Sequence, residues 1–269
     1  RRWALGAVPV ALVAVAGVSL AATNVPPPDA GVPVVMLAGD SVPLHLEVAL
    51  DREATARGWR VVSAAHGACS VTGETVAYRD GEPVRESEHC SSVVGIQDEL
   101  IRTMHPDVVI WWDRWSVSDF ITADGEHVRS GSDRFWQLRR AALKASAERL
   151  ALGGATVVFV ATEPPGEGIG SRCTDERCNE WVQFQIERYH DITSRWNSIM
   201  RRYAQQHPDR STFVSVTDVV CRTDEAPCDD LIDGVPARSD GTHYTGPGEA
   251  LVIDTLATQL ADILDGRRP

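Results

Sequence analysis

The sequence predicts an α/β fold in which a five-stranded parallel sheet is sandwiched between two layers of helices. Five short apolar runs are rich in Val and lack polar alternation, which is typical of parallel strands covered on both faces. Segments with a helical spacing of apolar residues lie between these runs, and strands that alternate with helices form parallel sheets. A length of 269 residues suits one such three-layer α/β/α domain.

The predicted elements alternate along the chain. The strands are residues 32–38, 59–64, 107–112, 155–161 and 212–216, and the helices are residues 44–57, 90–104, 133–152, 179–206 and 247–264. Gly58 follows the first helix and Gly153-Gly154 follow the third, as expected of helix ends. Two segments without periodicity, 116–131 and 163–178, are predicted to be loops at the carboxyl edge of the sheet, where open α/β sheets bind ligands.

The N-terminal residues 1–23 are predicted to be a transmembrane helix or a signal segment. Arg1 and Arg2 precede an uncharged stretch whose residues 4–22 are almost wholly apolar, close to the ~20 residues that span a bilayer. Small residues at 19–22 would also suit signal cleavage, so both alternatives stay open. In either case the basic flank stays in the cytoplasm. We therefore expect a Pro-rich linker (24–31) and an extracytoplasmic catalytic domain (32–269) at the cell membrane.

The net charge and the cysteines indicate which partners and which cellular compartment suit the protein. A formal net charge of −12 disfavours nucleic acid as a partner, because phosphate would be repelled. The six cysteines fall into three sequence-local pairs, which predict disulfides in an oxidising compartment. A zinc site is the alternative, but the spacings do not match the C-x2-C pattern of common zinc modules. We expect no metal and no cofactor, and three disulfides: Cys69–Cys90, Cys173–Cys178 and Cys221–Cys228.

Two short motifs carry the candidate chemistry. Gly39-Asp40-Ser41 ends the first strand, so the hydroxyl of Ser41 should lie at the carboxyl edge of the sheet and at a helix N-terminus. Near the other end of the chain, Asp240 and His243 lie three residues apart, just before the last helix. The carboxylate could hold the imidazole while the other ring nitrogen takes a proton from serine. The structural alternatives are a helix cap at Asp40 and Ser41 and an ordinary turn between Asp240 and His243.

These motifs and their order resemble the SGNH (GDSL-type) hydrolases and transferases over about residues 32–264. The resemblance implies a flavodoxin-like sandwich, with Ser41 as nucleophile, His243 as base and Asp240 as its partner. It also implies an oxyanion hole built from the N–H of the nucleophile, a Gly N–H after the second strand and an Asn after the third. Gly67 matches the second donor, but no Asn follows strand three. Arg114 or Trp112 is the predicted substitute, and a hole with only two backbone donors is the alternative.

The N-terminal apolar segment, the linker and the paired cysteines also resemble a narrower group. These are bacterial acyltransferase-3 membrane proteins with a C-terminal extracytoplasmic SGNH domain. That resemblance implies an O-acyltransferase that moves an acyl group, in the first instance acetyl, from a membrane-delivered donor onto a cell-surface glycan through an acyl-serine. It also implies that an N-terminal membrane domain precedes this chain. A secreted esterase or lipase is one alternative, and a non-catalytic glycan-binding module is another.

Three further features are weighed against structural roles. The tryptophans Trp111, Trp112, Trp115 and Trp136 could offer stacking faces for sugars, although core packing is the commoner use of Trp. His45, one helical turn after Ser41, is predicted to be structural. The glycine-rich residues 166–170 follow Pro-Pro and do not open a helix, so they are not a dinucleotide-binding loop. We expect them to form a mobile loop at the edge of the site.

Overall fold

The computed structural model of the chain describes residues 31–223 and 225–266. The predicted span or signal segment (1–23) and all of the linker except Gly31 lie outside these residues. Within the described ranges, no helix combines the length and the apolar character needed to cross a bilayer.

The centre of the fold is the predicted five-stranded parallel sheet. Its strand order is β2-β1-β4-β7-β8, and every neighbouring pair in it is parallel. The strands of the described residues are, in chain order, β1 (Val34–Gly39), β2 (Arg60–Ser63), β3 (Thr75–Val76), β4 (Val108–Trp112), β5 (Phe120–Ile121), β6 (His127–Val128), β7 (Thr156–Val160), β8 (Ser211–Val214), β9 (Leu231–Ile232) and β10 (Val235–Pro236). The predicted fold class is thereby confirmed.

Both faces of the sheet are buried, which explains why the strands lack polar alternation. Along β1, Met36 and Ala38 contribute to one hydrophobic cluster, whereas Val35 and Leu37 contribute to the other. The first cluster is shared with the second, third and fifth helices, and the second cluster with the first and last helices. The helices are α1 (Ser41–Ala56), α2 (Cys90–Met104), α3 (Asp133–Leu150), α4 (Glu176–Glu187), α5 (Arg195–Gln206), α6 (Thr217–Val220) and α7 (Pro247–Leu264).

Two predicted segments differ from the structure. The helix predicted at 179–206 is divided, because the π-type turn Tyr189–Ser194 separates α4 from α5. Only Val182 is buried in α4, whereas five residues of α5 are buried, so the two helices meet the core differently. The predicted loop 116–131 contains β5 and β6, which form a small antiparallel sheet with β3. The buried carboxylate of Asp119 accepts the Ser130 N–H (2.8 Å) and so ties the two ends of this hairpin together.

Candidate active site

Ser41 lies where the central strand β1 passes into α1. Asp40 caps the helix, and its Oδ1 accepts the Val42 N–H at 2.8 Å. Gly39 is required at the last position of β1, because an added Cβ would lie 1.9 Å from the carbonyl oxygen of Trp112 on β4. The close approach of β1 and β4 therefore fixes the turn that presents Ser41 at the carboxyl edge of the sheet.

The structure brings Ser41, His243 and Asp240 into one hydrogen-bonded chain. The Ser41 Oγ lies 2.8 Å from the Nε2 of His243, and the His243 Nδ1 lies 2.7 Å from the Oδ2 of Asp240. The second carboxylate oxygen of Asp240 accepts the backbone N–H groups of Thr242 (2.9 Å) and His243 (2.7 Å). This network favours the tautomer in which Nδ1–H donates to Asp240 and Nε2 accepts the serine hydroxyl.

Asp240 is held in its ionised form. Partial burial alone would raise its pKa, but the hydrogen bonds from the His243 ring and from the N–H groups of His243 and Thr242 hold the pKa well below its usual range. The Arg172 Nε lies 3.8 Å from Asp240 Oδ2 and adds a positive charge on the solvent side. The carboxylate can therefore stabilise an imidazolium on His243 throughout the neutral range.

The glycine-rich residues 166–170 pack tightly against the loop that carries Asp240 and His243. The Gly166 N–H donates to the carbonyl of Gly241 at 2.9 Å, and the short 3₁₀ helix Glu167–Arg172 follows. A Cβ at Gly168 would lie 2.3 Å from the Ser239 carbonyl oxygen, so the two chains meet backbone to backbone. This segment was expected to be a mobile loop at the edge of the site. In the structure it packs against residues 239–243 and supports them.

Gly67 lies in the loop after β2. The neighbouring His66 N–H donates to the Gly39 carbonyl at 2.8 Å, which ties this loop to the end of β1. A Cβ added at Gly67 would meet no atom within 4 Å, so the backbone there faces open space. Among the described residues, no protein acceptor engages the N–H of Ser41 or of Gly67. Both groups are therefore free to donate to a bound substrate.

In the structure, the side chains of Trp112 and Arg114 both turn toward Glu163. Trp112 is 1% exposed, and its indole N–H points to the Oε2 of Glu163 at 3.5 Å. The Arg114 guanidinium also turns inward and donates to the Glu163 carbonyl at 3.3 Å. Arg114 contributes to the site through its backbone instead, since its N–H donates to Asp40 Oδ2 at 2.6 Å. The sequence places both residues at or just after the end of β4 but does not specify the direction of their side chains, and their role as oxyanion donors stays a prediction.

Asp113 has a structural position in the same loop. It is buried, and its carboxylate accepts the Trp111 indole N–H (2.9 Å), the Val71 N–H (3.1 Å) and the Ser116 N–H (2.7 Å). It therefore joins the loop after β2 to the loop after β4.

Two residues at the site were not identified from the sequence. His45 was expected to be structural, but its ring stacks on the ring of His243, with centroids 4.0 Å apart and planes inclined by 14°. The buried Glu163 accepts the Tyr244 hydroxyl at 2.6 Å and thereby anchors the residue next to His243. The spacing of His45 from Ser41, one turn of one helix, was the available signal for His45. Nothing local distinguishes Glu163.

The tryptophans divide clearly into core and surface. Trp111, Trp112 and Trp136 are fully buried and cannot offer a face to a sugar. Trp115, which directly follows Arg114, is partly exposed and stacks on the partly exposed Trp181 of α4, with centroids 5.1 Å apart. The residue before Trp115, Arg114, donates its N–H to Asp40, so this part of the chain contacts the residue before Ser41.

All three predicted disulfides are present: Cys69–Cys90, Cys173–Cys178 and Cys221–Cys228. No cysteine is free. Within the described ranges, no cluster of three or more His, Cys, Asp or Glu residues has the arrangement to hold a metal ion. The zinc alternative for the cysteines is therefore set aside.

Comparison with known proteins gives one family and several structural neighbours. A family model described as an SGNH domain fused to AT3 domains matches residues 18–258. No curated protein matches the chain.

The neighbours among solved structures share the fold at low identity. The lipopolysaccharide acetyltransferase periplasmic domain of Salmonella ser. Paratyphi A has a TM-score of 0.56 at 14% identity, covering 87% of this chain and 85% of its own. A protein of Bacteroides fragilis assigned as an acylhydrolase has a TM-score of 0.54 at 14% identity, covering 90% and 92%. A GDSL-like lipase of Bacteroides thetaiotaomicron has a TM-score of 0.50 at 11% identity, covering 86% and 88%. At these identities the likeness shows the fold alone.

Proposed function

The chain belongs to the family of SGNH domains fused to AT3 domains, and from this premise we propose that it is an extracytoplasmic serine-dependent O-acyltransferase. It moves an acyl group, in the first instance acetyl, onto a hydroxyl of a cell-surface glycan. The observation that carries the proposal is the hydrogen-bonded chain from Ser41 through His243 to Asp240. The family itself makes the chain an SGNH-type acyltransferase or carboxylic ester hydrolase.

The first half-reaction loads the acyl group onto serine. The Ser41 Oγ attacks the acyl carbonyl carbon, and the Nε2 of His243 takes the hydroxyl proton. The negative charge that develops on the carbonyl oxygen is met by the N–H groups of Ser41 and Gly67, of which the first also lies at the positive end of α1. The imidazolium of His243, stabilised by Asp240, then gives its proton to the leaving group, and acyl-Ser41 remains.

The second half-reaction unloads the acyl group onto the acceptor. A sugar hydroxyl gives its proton to the Nε2 of His243 as its oxygen attacks the acyl carbonyl of Ser41. Collapse of the tetrahedral intermediate releases the glycan ester and returns the proton from His243 to the Ser41 Oγ. The same two N–H groups bind the oxyanion in both halves, so one site serves both steps.

The proposed acyl donor and the proposed cellular location are based on the domains to which members of this family are fused. Since domains of this family are fused to AT3 domains, we infer that an N-terminal membrane domain delivers the acyl group to Ser41 from the membrane side. The three disulfides agree with an oxidising, extracytoplasmic location. The aromatic pair of Trp115 and Trp181 offers the kind of surface on which a sugar ring can stack.

An ester hydrolase is the second candidate, because water in place of the sugar hydroxyl completes the same second half-reaction. A Cβ added at Gly67 would meet no atom within 4 Å, so water can reach the backbone there as readily as a sugar can. The non-catalytic glycan-binding alternative has less support, since a binding module has no need for a serine hydroxyl 2.8 Å from an imidazole.

A fluorophosphonate probe tests the assignment of the nucleophile. Wild-type protein should be labelled at Ser41, and Ser41→Ala should lose both labelling and turnover of p-nitrophenyl acetate. His243→Ala should fall to a similar level, and Asp240→Asn should lose less, because the imidazole keeps part of its function without its partner. Thermal unfolding of each variant checks that the fold persists. Native turnover by Ser41→Ala would refute the proposal.

A further inference from the structure

The ring of His45 stacks face to face on the ring of His243. It lies on α1, one turn after Ser41, so a single helix carries both the candidate nucleophile and the ring that covers the candidate base. The His45 side chain is exposed, whereas the side chain of His243 is only 11% exposed. His45 therefore lies between the base and solvent.

The stack supplies a restraint that the two hydrogen bonds of His243 do not. Nδ1 and Nε2 lie on opposite sides of the ring, so their bonds to Asp240 and Ser41 fix its position in its own plane. Rotation about the line that joins these two bonds changes neither distance much. A ring parallel to His243 at 4.0 Å opposes that rotation through packing against its face.

The charge of His45 matters because His243 becomes an imidazolium in each half-reaction. Partial burial of the otherwise exposed His45 ring lowers its pKa, and the neighbouring charges of His243 and Arg172 lower it further, against an opposing effect of Asp240. These groups face His45 from two elements: the loop of residues 239–243 and the 3₁₀ helix Glu167–Arg172. A neutral ring accommodates a parallel imidazolium, whereas a protonated ring would oppose it by like-charge repulsion.

We propose that His45 is a positioning residue for His243, acting as a neutral stacked ring that holds the base in line between Ser41 and Asp240. The inference rests on the proposed role of His243 as general base. It predicts that acid inactivates the enzyme partly through His45, since protonation of His45 makes the imidazolium of His243 harder to form.

Two substitutions of His45 separate the stack from the charge. His45→Ala removes the ring and should lower kcat for p-nitrophenyl acetate by about threefold to tenfold, the range expected for one aromatic pair, with little change in KM. His45→Phe keeps a parallel ring and should restore most of the rate. Val48→Ala is the matched control, because Val48 lies one turn further along the same helix and is 76% exposed.

The pH profile of kcat/KM supplies a readout that a purely structural role would not change. Relative to wild type, His45→Phe should lose one ionisation from the acid limb of the profile, while every other ionisation stays in both proteins. If the acid limb of the profile is equally steep in wild type and in His45→Phe, the charge of His45 has no role. Equal rates for His45→Phe and His45→Ala would overturn the role of the stack.

The two proposals fail in different ways. If His45→Ala matches wild type while Ser41→Ala is inactive, the inference about His45 is wrong and the proposed function stands. If Ser41→Ala retains the wild-type rate, the serine mechanism itself is wrong. Thermal unfolding of the His45 variants is expected to stay close to wild type, since the side chain is exposed.

Discussion

Asp40, the acid that precedes the candidate nucleophile, is a buried carboxylate that holds two parts of the backbone together. Its side chain is buried, and its two oxygens accept the N–H groups of Val42 and Arg114. Burial, followed by the nearby carboxylate of Asp113, raises the pKa of Asp40 to about 7, although the two backbone hydrogen bonds act in the opposite direction. The residue ties α1 to the loop after β4, and its charge is unfavourable at neutral pH.

The folded protein should therefore lose stability as Asp40 ionises. Because the folded pKa of about 7 lies above the ordinary value of 3.8 for an Asp side chain, the folded state holds a proton that the unfolded state releases. The stabilisation is complete below pH 3.8 and is lost as pH rises through 7. Asp40→Asn cannot ionise, so its Tm should change less than that of wild type between pH 4 and pH 7. Scanning calorimetry across this range measures the difference.

The matched control for Asp40→Asn is Asp51→Asn, an exposed substitution of the same type on the same helix. Its pH dependence should follow that of wild type. Asn at position 40 keeps only one acceptor oxygen. The free energy of unfolding of Asp40→Asn should therefore be lower by about 1 kcal/mol at all pH values, in addition to the pH effect. Parallel Tm curves for wild type and Asp40→Asn would show that Asp40 does not titrate in this window.

At the residue scale, the sequence was informative where a motif constrains the backbone. The juxtaposition of Ser41, Asp240 and His243 followed from a strand-to-helix turn and from a short Asp-x-x-His loop, whose local geometry leaves few arrangements. The direction of the Trp112 and Arg114 side chains was not predictable, for the opposite reason. Both faces of β4 are covered, so the sequence gives no sign of which side chains turn inward, and the partner that attracts them, Glu163, is 49 residues or more away.

Among the elements, the support beneath the candidate base is the least expected feature. The segment 166–170 and the loop 239–243 touch through backbone atoms, and their contact needs glycine at Gly168 and Gly241. Arg238, fully buried two residues before Asp240, reinforces the contact by donating to the Pro164 carbonyl at 2.8 Å and to Asp230 at 2.9 Å. Its Nη2 also lies 2.9 Å from the Sγ of Cys228, so the third disulfide borders the same support.

Gly168→Ala should displace this support and slow the enzyme. The added methyl group would lie 2.3 Å from the Ser239 carbonyl, which forces the chain that leads to Asp240 to move. Overpacking of this kind costs about 1–3 kcal/mol, so we expect a lower Tm together with a reduced kcat for p-nitrophenyl acetate measured well below that Tm.

Gly170→Ala is the control for Gly168→Ala, because it lies in the same turn and an added Cβ there meets no atom within 4 Å. It should behave as wild type in both measurements. If Gly168→Ala also kept the wild-type kcat, the packing of this segment would have no bearing on the base, and residues 166–170 would have only a local role.

At the scale of the whole molecule, the predicted organisation holds because it depends on patterns distributed along the chain. Five Val-rich runs and the helices between them suffice for the sheet, and the family assignment agrees with the resemblance inferred from the two motifs. The division of the helix at 179–206 was not predictable, since a π-type turn leaves the apolar spacing nearly intact. As a result, α4 buries only Val182 and places Trp181 beside Trp115.

The partition of the acyl group between sugar and water tests the molecule as a transferase. With p-nitrophenyl acetate as donor, cell-surface polysaccharide from the source organism should accelerate release of p-nitrophenol and should itself become acetylated. Hydrolysis unaffected by the polysaccharide, with no acetyl group transferred, would leave the enzyme an esterase. Because both outcomes use acyl-Ser41, the result bears on the acceptor and not on the serine mechanism.

Trp181→Ala asks whether the aromatic pair selects the acceptor. Removal of a Trp from a binding surface typically costs more than 1 kcal/mol, so the polysaccharide concentration at half-maximal transfer should rise by about tenfold. Hydrolysis without acceptor should stay near wild type, since the hydrogen-bonded chain of Ser41, His243 and Asp240 does not include Trp181. Trp59→Ala is the control, because Trp59 is also partly exposed but precedes β2 at the opposite, amino edge of the sheet. Equal acceptor dependence in Trp181→Ala, Trp59→Ala and wild type would place sugar recognition elsewhere on the carboxyl edge.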